Sequence, residues 1–411
     1  MKALIMAAGS GERLLPFTTT RPKVMVPIGG KPILHHLLLE AKKAGVKEAV
    51  IVVRYLKEQI VEYFTKNNLG LKISFVEQPQ DSNGTASAVL CAKGKFDEPF
   101  LVLAGDSVLD SSLIKSVIKN HKGRITVALK QVENPTSYGV AEVKNGKIIG
   151  FEEKPSKPRS NLANISVYMF DPTVFSEIPT IPKSERGDYE IVNLFLGASA
   201  VIVDGYWKDI AHPWDMLEAN EYLLSKMDSK SSSSQIENST IKGKVVLEKG
   251  AKIINSYIEG NVYLGANSVI GPNAYIRGSS AIGANCHIGP GSSVKNSILF
   301  DNVNAKHLTY IGDSVIGQDV NFGAGTQIAN YRFDSGNIVL LTAKGWRDCG
   351  RNKLGAFVGD NTKFGVLSCV MPGKIIGHNC WIHSNIVVNK NVPPDTEVFI
   401  RSELEFAKRK V

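Results

Sequence analysis

The chain has 411 residues, enough for two or three domains with separate cores, and a formal charge of +9 carried by dispersed lysines and arginines rather than by the basic runs of a nucleic-acid arm. Its cysteines, Cys91, Cys286, Cys349, Cys369 and Cys380, are odd in number and form no Cys-x-x-Cys pair, which points away from a disulfide framework or a zinc site and towards a reducing compartment. No apolar run approaches the roughly 20 residues of a membrane span, so a soluble, cytoplasmic protein without nucleic-acid or membrane partners is expected.

Lys2 to Ala8 reads as a buried parallel strand, closed by Gly9, Ser10 and Gly11 and followed by Arg13, Pro22 and Lys23. Glycines at such a turn let backbone N–H groups approach nucleotide phosphates. Arginine grips two phosphate oxygens at once, and lysine acts as a movable point charge. The third glycine of the dinucleotide fingerprint and the Gly-Lys-Ser/Thr of the P-loop are both missing. Up to about Val203, apolar strands such as Ala49 to Val53, Ile73 to Val76 and Phe100 to Ala104 alternate with helical stretches such as Ile33 to Ala44, the order of a doubly wound α/β sheet. Asp106 follows one of these strands through Gly105, at the carboxyl end where such sheets bind ligands, although a Gly-Asp pair equally suits a plain turn.

Trp214 to Met227 reads as an amphipathic helix packed on this first domain, and Asp228 to Ser234 is polar, with nothing to bury. The expected division is a first domain over 1–228, a linker over 229–240 and a second domain over 241–411. In that second domain an aliphatic residue recurs every sixth position, at Ile258, Leu264, Ile270, Ile276, Ile282, Ile288 and Val294, and the rhythm returns at Val358, Phe364, Val370, Ile376, Ile382 and Val388. This is the hexapeptide repeat of a left-handed parallel β-helix, with the aliphatic residue pointing inward. The period fails between Val294 and Ile316 and again from about Ala329 to Phe357, where insertions are expected. Arg277 and Lys295 are eighteen residues apart, which stacks them on one wall in adjacent coils; two neighbouring cations predict an anion between them.

The stretch Gly9 to Lys23, with Pro27, Lys31 and Pro32, resembles the signature of the sugar-1-phosphate nucleotidyltransferases, apart from Glu12, where many members carry threonine or serine. The resemblance implies that Gly9 and Gly11 lie against the phosphates and that Arg13 and Lys23 are catalytic cations. It implies that Asp209 joins Asp106 in holding Mg²⁺, that Gln78, Gly84 and Thr85 hold the base, and that Gly139, Glu153 and Asn164 surround the sugar. Singly, Gln78 also suits an ordinary loop, Glu153 a solvated surface and Asn164 a strand end. His212, before Pro213, reads as structural.

The two interruptions, Lys306 to Asp313 and the stretch opening Asn330-Tyr331-Arg332-Phe333, resemble the acetyltransferase site of the bifunctional glucosamine-1-phosphate acetyltransferase and N-acetylglucosamine-1-phosphate uridyltransferase family, archaeal type. This implies that His307 is the general base for a sugar amine attacking acetyl-CoA, that Tyr310 and Asn330 position the reactants, that Asn321 contacts the sugar, and that Arg277 and Lys295 bind its phosphate. Gly336 stands where related enzymes carry lysine, with Lys344 the candidate for the displaced charge. The resemblance therefore implies a bifunctional, homotrimeric enzyme using UTP or dTTP, a sugar-1-phosphate and acetyl-CoA. Its alternatives are a nucleotidyltransferase whose β-helix only supports trimerisation, and a non-catalytic assembly subunit, against which the retained Arg13, Lys23, Asp106 and Asp209 speak.

Overall fold

Lys2–Ala7 lies inside a nine-stranded sheet whose order runs Lys72–Glu77, Glu48–Val53, Lys2–Ala7, Phe100–Ala104, Leu162–Phe170, Ile125–Gln131, Ser199–Ile202, Lys147–Glu153, Gly139–Lys144. The structure, a computed structural model, describes all residues except 82, 184–186, 232–234, 344, 402, 408 and 410–411. By its internal contacts the chain divides into two units: Met1–Gly11, Arg21–Val26 and Lys31–Ile210 form the first, and Glu12–Thr20, Pro27–Gly30 and Ala211–Val411 the second.

In the first unit the strands Lys72–Glu77, Glu48–Val53, Lys2–Ala7 and Phe100–Ala104 are mutually parallel. Both faces of this part are covered, because Ala49, Ile51 and Val53 enter one apolar cluster with Leu37 and Leu38 of the helix Ile33–Lys43, while Val50 and Val52 enter another with Val89 and Phe100. The doubly wound expectation holds for this half. Beyond it the sheet turns mixed, since Leu162–Phe170 runs antiparallel to both of its main neighbours. Strand direction follows from connection length, which apolar periodicity does not report.

Among the described residues the second unit is built of three parallel sheets of eight, nine and eight strands, the walls of a β-helix. Ile258, Leu264, Ile270, Ile276, Ile282, Ile288 and Val294 are all 0% exposed, so the six-residue period marks the inward positions. Corners are taken by asparagines in the left-handed region, among them Asn267, Asn285 and Asn302, whose amides hydrogen-bond up the stack to one another and finally to Asp319. The stretch from Val294 to Ile316 is not an insertion: Leu299, Ala305 and Ile311 continue the inward row, and Lys295 pairs with Gly312 seventeen residues on. Tight corners at Asn296 and Asp313, with φ of 46° and 47°, each drop one residue from the period while the coil continues. The second break is a true excursion, carrying an antiparallel hairpin of Val339–Thr342 and Gly345–Asp348 before Phe357 rejoins the coil beside Val315.

Two expectations about boundaries change. Lys230–Ser231 and Gln235–Glu237, inside the anticipated linker, already pair in parallel with the next coil; residues 232–234 of that linker lie outside the described residues. The helix Asp215–Lys226 belongs to the second unit, held there by fully buried Asn220, whose side chain donates to the Ser279 carbonyl at 2.8 Å and accepts from the Gly29 N–H at 2.9 Å. The segment Glu12–Thr20 is anchored in the same unit: Phe17 is 0% exposed with its ring 5.3 Å from Phe300, and the Thr20 hydroxyl donates to Asp360 at 2.6 Å. Among the described residues no helix is long and apolar enough to cross a membrane.

Candidate active sites

Asp106 leaves the strand Phe100–Ala104 through Gly105, where a Cβ would stand 2.9 Å from the Met6 carbonyl oxygen. Ser107–Leu109 then pairs antiparallel with Trp207–Asp209, setting Asp209 opposite Ser107, and the Ile210 N–H donates to the Asp106 carbonyl at 3.2 Å. Two carboxylates distant in sequence are thereby aimed at one place. Lys23, in a 3-10 turn and 10% exposed at its side chain, fills it, with Nζ ion-paired to Asp106 Oδ2 and 4.0 Å from Asp209 Oδ1. Oxygen ligands converging on a position that already attracts a cation fit Mg²⁺. No cluster of three or more His, Cys, Asp and Glu is found among the described residues.

The first unit also carries most of the remaining expected residues of this half. Gly9 has no atom within 4 Å of where a Cβ would stand, leaving its backbone open to a ligand. Gly11 turns the chain at φ of 75°; beyond it Arg13 is exposed in the turn Glu12–Leu14, part of the segment counted with the second unit. Gln78 is 4% exposed and donates to the Gly84 carbonyl at 3.4 Å. Gly84 has φ of 96° and any side chain would strike the backbone of Tyr189, while the Thr85 hydroxyl donates to Glu190 at 3.1 Å. Sequence reasoning missed Glu190, which carries no motif and is brought in by a loop more than a hundred residues away from Thr85. Gly139 pairs with Glu153, and a Cβ there would sit 2.7 Å from the Glu153 carboxylate, so the two expected sugar-site residues are neighbours. Asn164 stands where the pairing with Ile125–Gln131 shifts register; it donates to the Tyr168 hydroxyl at 3.0 Å, and burial pushes that phenol up to about 12.

In the second unit the polar centre is Asp313, 3% exposed and unremarked by the sequence except as part of a motif. Its carboxylate accepts from Lys295 Nζ at 3.0 Å, from the Asn296 amide at 3.0 Å and from the Asn330 amide. Tyr310 and Asn330 meet above Gly312, where a Cβ would lie 2.5 Å from the Tyr310 hydroxyl and 2.7 Å from Asn330 Nδ2. Arg277 and Lys295 are in register as expected, but the anion beside Lys295 is the protein's own Asp313. Arg277 lays its guanidinium 5.4 Å from the Tyr275 ring centre, and its buried Nε has no hydrogen-bond partner among the described residues.

His307 is exposed at the corner preceding Tyr310–Gly312, and no hydrogen bond among the described residues joins its imidazole to Tyr310 or Asn330. It is close enough to His287 to contribute, with burial as the main cause and Lys306 next, to lowering that residue's pKa. Asn321 lies on a different wall, in register with Asn304 and Lys363, apart from the Tyr310–Asn330 pair. Lys344 lies outside the described residues.

A family model for nucleotidyl transferases matches residues 2–226, and one for the GMPPB C-terminal domain matches residues 258–398. The bifunctional protein GlmU of Methanocaldococcus jannaschii is 41% identical over 418 residues, spanning 100% of both chains. The chain belongs to the bifunctional sugar-1-phosphate nucleotidylyltransferase/acetyltransferase family. A Sulfurisphaera tokodaii protein bearing that description is 40% identical over 406 residues, 95% of this chain and 98% of its own. The solved structure of a Bacillus anthracis protein described as a glucose-1-phosphate thymidylyltransferase, in complex with a sucrose, is 27% identical, with a TM-score of 0.51, and covers 56% of this chain and 98% of that one. As a member of this bifunctional family the chain is an enzyme with a nucleotidyltransferase and an acetyltransferase activity, so the scaffold and non-catalytic alternatives give way.

Proposed function

We propose that the first activity transfers a nucleotidyl group from UTP, or from dTTP, to N-acetylglucosamine-1-phosphate with release of pyrophosphate, and that the second N-acetylates glucosamine-1-phosphate, or galactosamine-1-phosphate, with acetyl-CoA. The observation that carries the first half is Lys23 gathered between Asp106 and Asp209 at the strand ends. A sugar phosphate oxygen attacks the α-phosphorus, the bond to the β-phosphate oxygen breaks, and pyrophosphate leaves. The attacking phosphate is already ionised, so no protein base is required. Lys23 neutralises charge spreading over the phosphate oxygens, a role the family resemblance extends to Arg13, and Gly9 and Gly11 let the backbone approach them. Asp106 and Asp209 would hold Mg²⁺, which would supply Lewis-acid stabilisation to the same oxygens. Gln78, Gly84 and Thr85 take the base; Gly139, Glu153 and Asn164 take the sugar.

For the second half, His307 takes a proton from the sugar amine as it attacks the thioester carbonyl, the C–S bond breaks, and the proton passes to the leaving thiolate, which departs as CoA. Tyr310 and Asn330, fixed over Gly312, orient the reactants. A soluble homotrimer is carried over from the family resemblance, in which a neighbouring copy's wall would bring Asn321 to the Tyr310–Asn330 pair set on another wall. Pyrophosphate release measured across UTP, dTTP and a panel of sugar-1-phosphates tests the donor and acceptor. CoA release with the two aminosugar phosphates, from the intact chain and from His307→Ala, tests the rest; release that persists in His307→Ala would remove the histidine from its role.

A further inference from the structure

Two cations beside the excursion that carries Gly336 are already neutralised. Arg332 is clamped by Asp334, which holds Nε at 2.8 Å and ion-pairs with Nη2, and Lys295 is neutralised by buried Asp313. The excursion from the coil nevertheless returns past this point. The Ile338 N–H donates to the Arg351 carbonyl at 2.8 Å, Lys353 bridges antiparallel to Tyr331, the Leu354 N–H donates to the Asn330 carbonyl at 2.9 Å, and the Gly355 N–H to the Asp313 carbonyl at 2.9 Å. Fully buried Leu354 fixes the strand, so its neighbours cannot slide away from Asn330. The result is a cavity of about 490 Å³ lined by Asp313, Gly336, Asn337, Arg351 and Lys353 among others.

Arg351 and Lys353 form no ion pair among the described residues, and Lys353 Nζ stands 5.8 Å over the Tyr331 ring. Two unneutralised cations bordering a cavity that also touches the Asn330–Asp313 group attract a polyanion. Resting on the acetyl-transfer assignment above, we propose that Lys353, assisted by Arg351, is the binding residue for a phosphate-bearing ligand of the second site. The shared chemistry is a phosphate ester, borne either by the aminosugar-1-phosphate or by CoA.

Equilibrium binding of glucosamine-1-phosphate and, separately, of CoA to the full chain distinguishes the two sources without requiring turnover. Lys353→Met is expected to weaken one of these ligands about 10-fold, and Lys353→Met with Arg351→Met more, with a shallower salt dependence and with Lys353→Arg restoring most of the loss. Pyrophosphate release is expected to be unchanged in all three variants, which guards against a general folding defect. Binding of both ligands within twofold of the intact chain in the double variant overturns the assignment, as does equal weakening in Lys353→Arg. An intact chain that binds either ligand but releases no CoA would separate failure of the acetyl-transfer assignment from failure of this one.

Discussion

Gly312→Ala isolates the geometry of the second site. An added Cβ would stand 2.5 Å from the Tyr310 hydroxyl and 2.7 Å from Asn330 Nδ2, and ordinary contact needs roughly 3.5 Å, so both groups must retreat by about 1 Å. They are the far ends of side chains, Gly312 is not in the left-handed region, and Tyr310 is only half-buried, so the retreat costs the fold little. It costs the chemistry more. A displacement of about 1 Å in a positioning group lowers rate on the order of 100-fold, equivalent to about 2.7 kcal/mol of transition-state stabilisation. The assay is CoA release with saturating acetyl-CoA, with pyrophosphate release and thermal unfolding measured on the same preparation. Acetyl transfer within threefold of the parent, or loss of both activities together with a collapse of the unfolding temperature, would refute the reasoning.

Asp209→Asn removes one of the two carboxylates gathered at Lys23, and pyrophosphate release should fall about 100-fold or more at fixed Mg²⁺ while CoA release is unaffected. Asp313→Ala strips Lys295, Asn296 and Asn330 of their common acceptor and leaves a partly buried ammonium unpaired; a loss of about 3 kcal/mol in the unfolding of the β-helix, read in denaturant, is expected, with Asp313→Asn milder. His35, in the helix Ile33–Lys43, has its pKa lowered to about 4, first by burial and then by His36 and Lys31, while its Nδ1 lies 2.9 Å from the Tyr63 hydroxyl. Because the unfolded chain binds the proton more readily, this contribution is present above about 6.5 and is lost as pH falls through about 4. His35→Gln should therefore flatten the decline of stability across that window, and an unchanged slope would count against it.

Much of the architecture was legible because its signals are periodic. Inward aliphatics every six residues, alternating strands and a glycine-rich turn before two cations are local patterns, and the 0% exposure of Ile258 to Val294 at those positions follows from them. Asp106 was also readable, as a polar residue just past an apolar strand. Its convergence with Asp209 was not, since it depends on the short pairing of Ser107–Leu109 with Trp207–Asp209, and nothing in three-residue strands specifies a partner a hundred residues away.

By itself, then, the sequence determined the two kinds of core and the chemistry of each signature loop, since both are written in spacing between near neighbours. The tertiary structure alone decided which distant groups share a site. A one-residue shortening at Asn296, indistinguishable in sequence from an insertion, kept the coil continuous and carried Asp313 beneath Lys295 and Asn330. Burial of Phe17 and Asn220 likewise assigned Glu12–Thr20 and Asp215–Lys226 to the second unit. Apolar contact and hydrogen bonding reward proximity in space without regard to separation along the chain, and that is the information a linear pattern lacks.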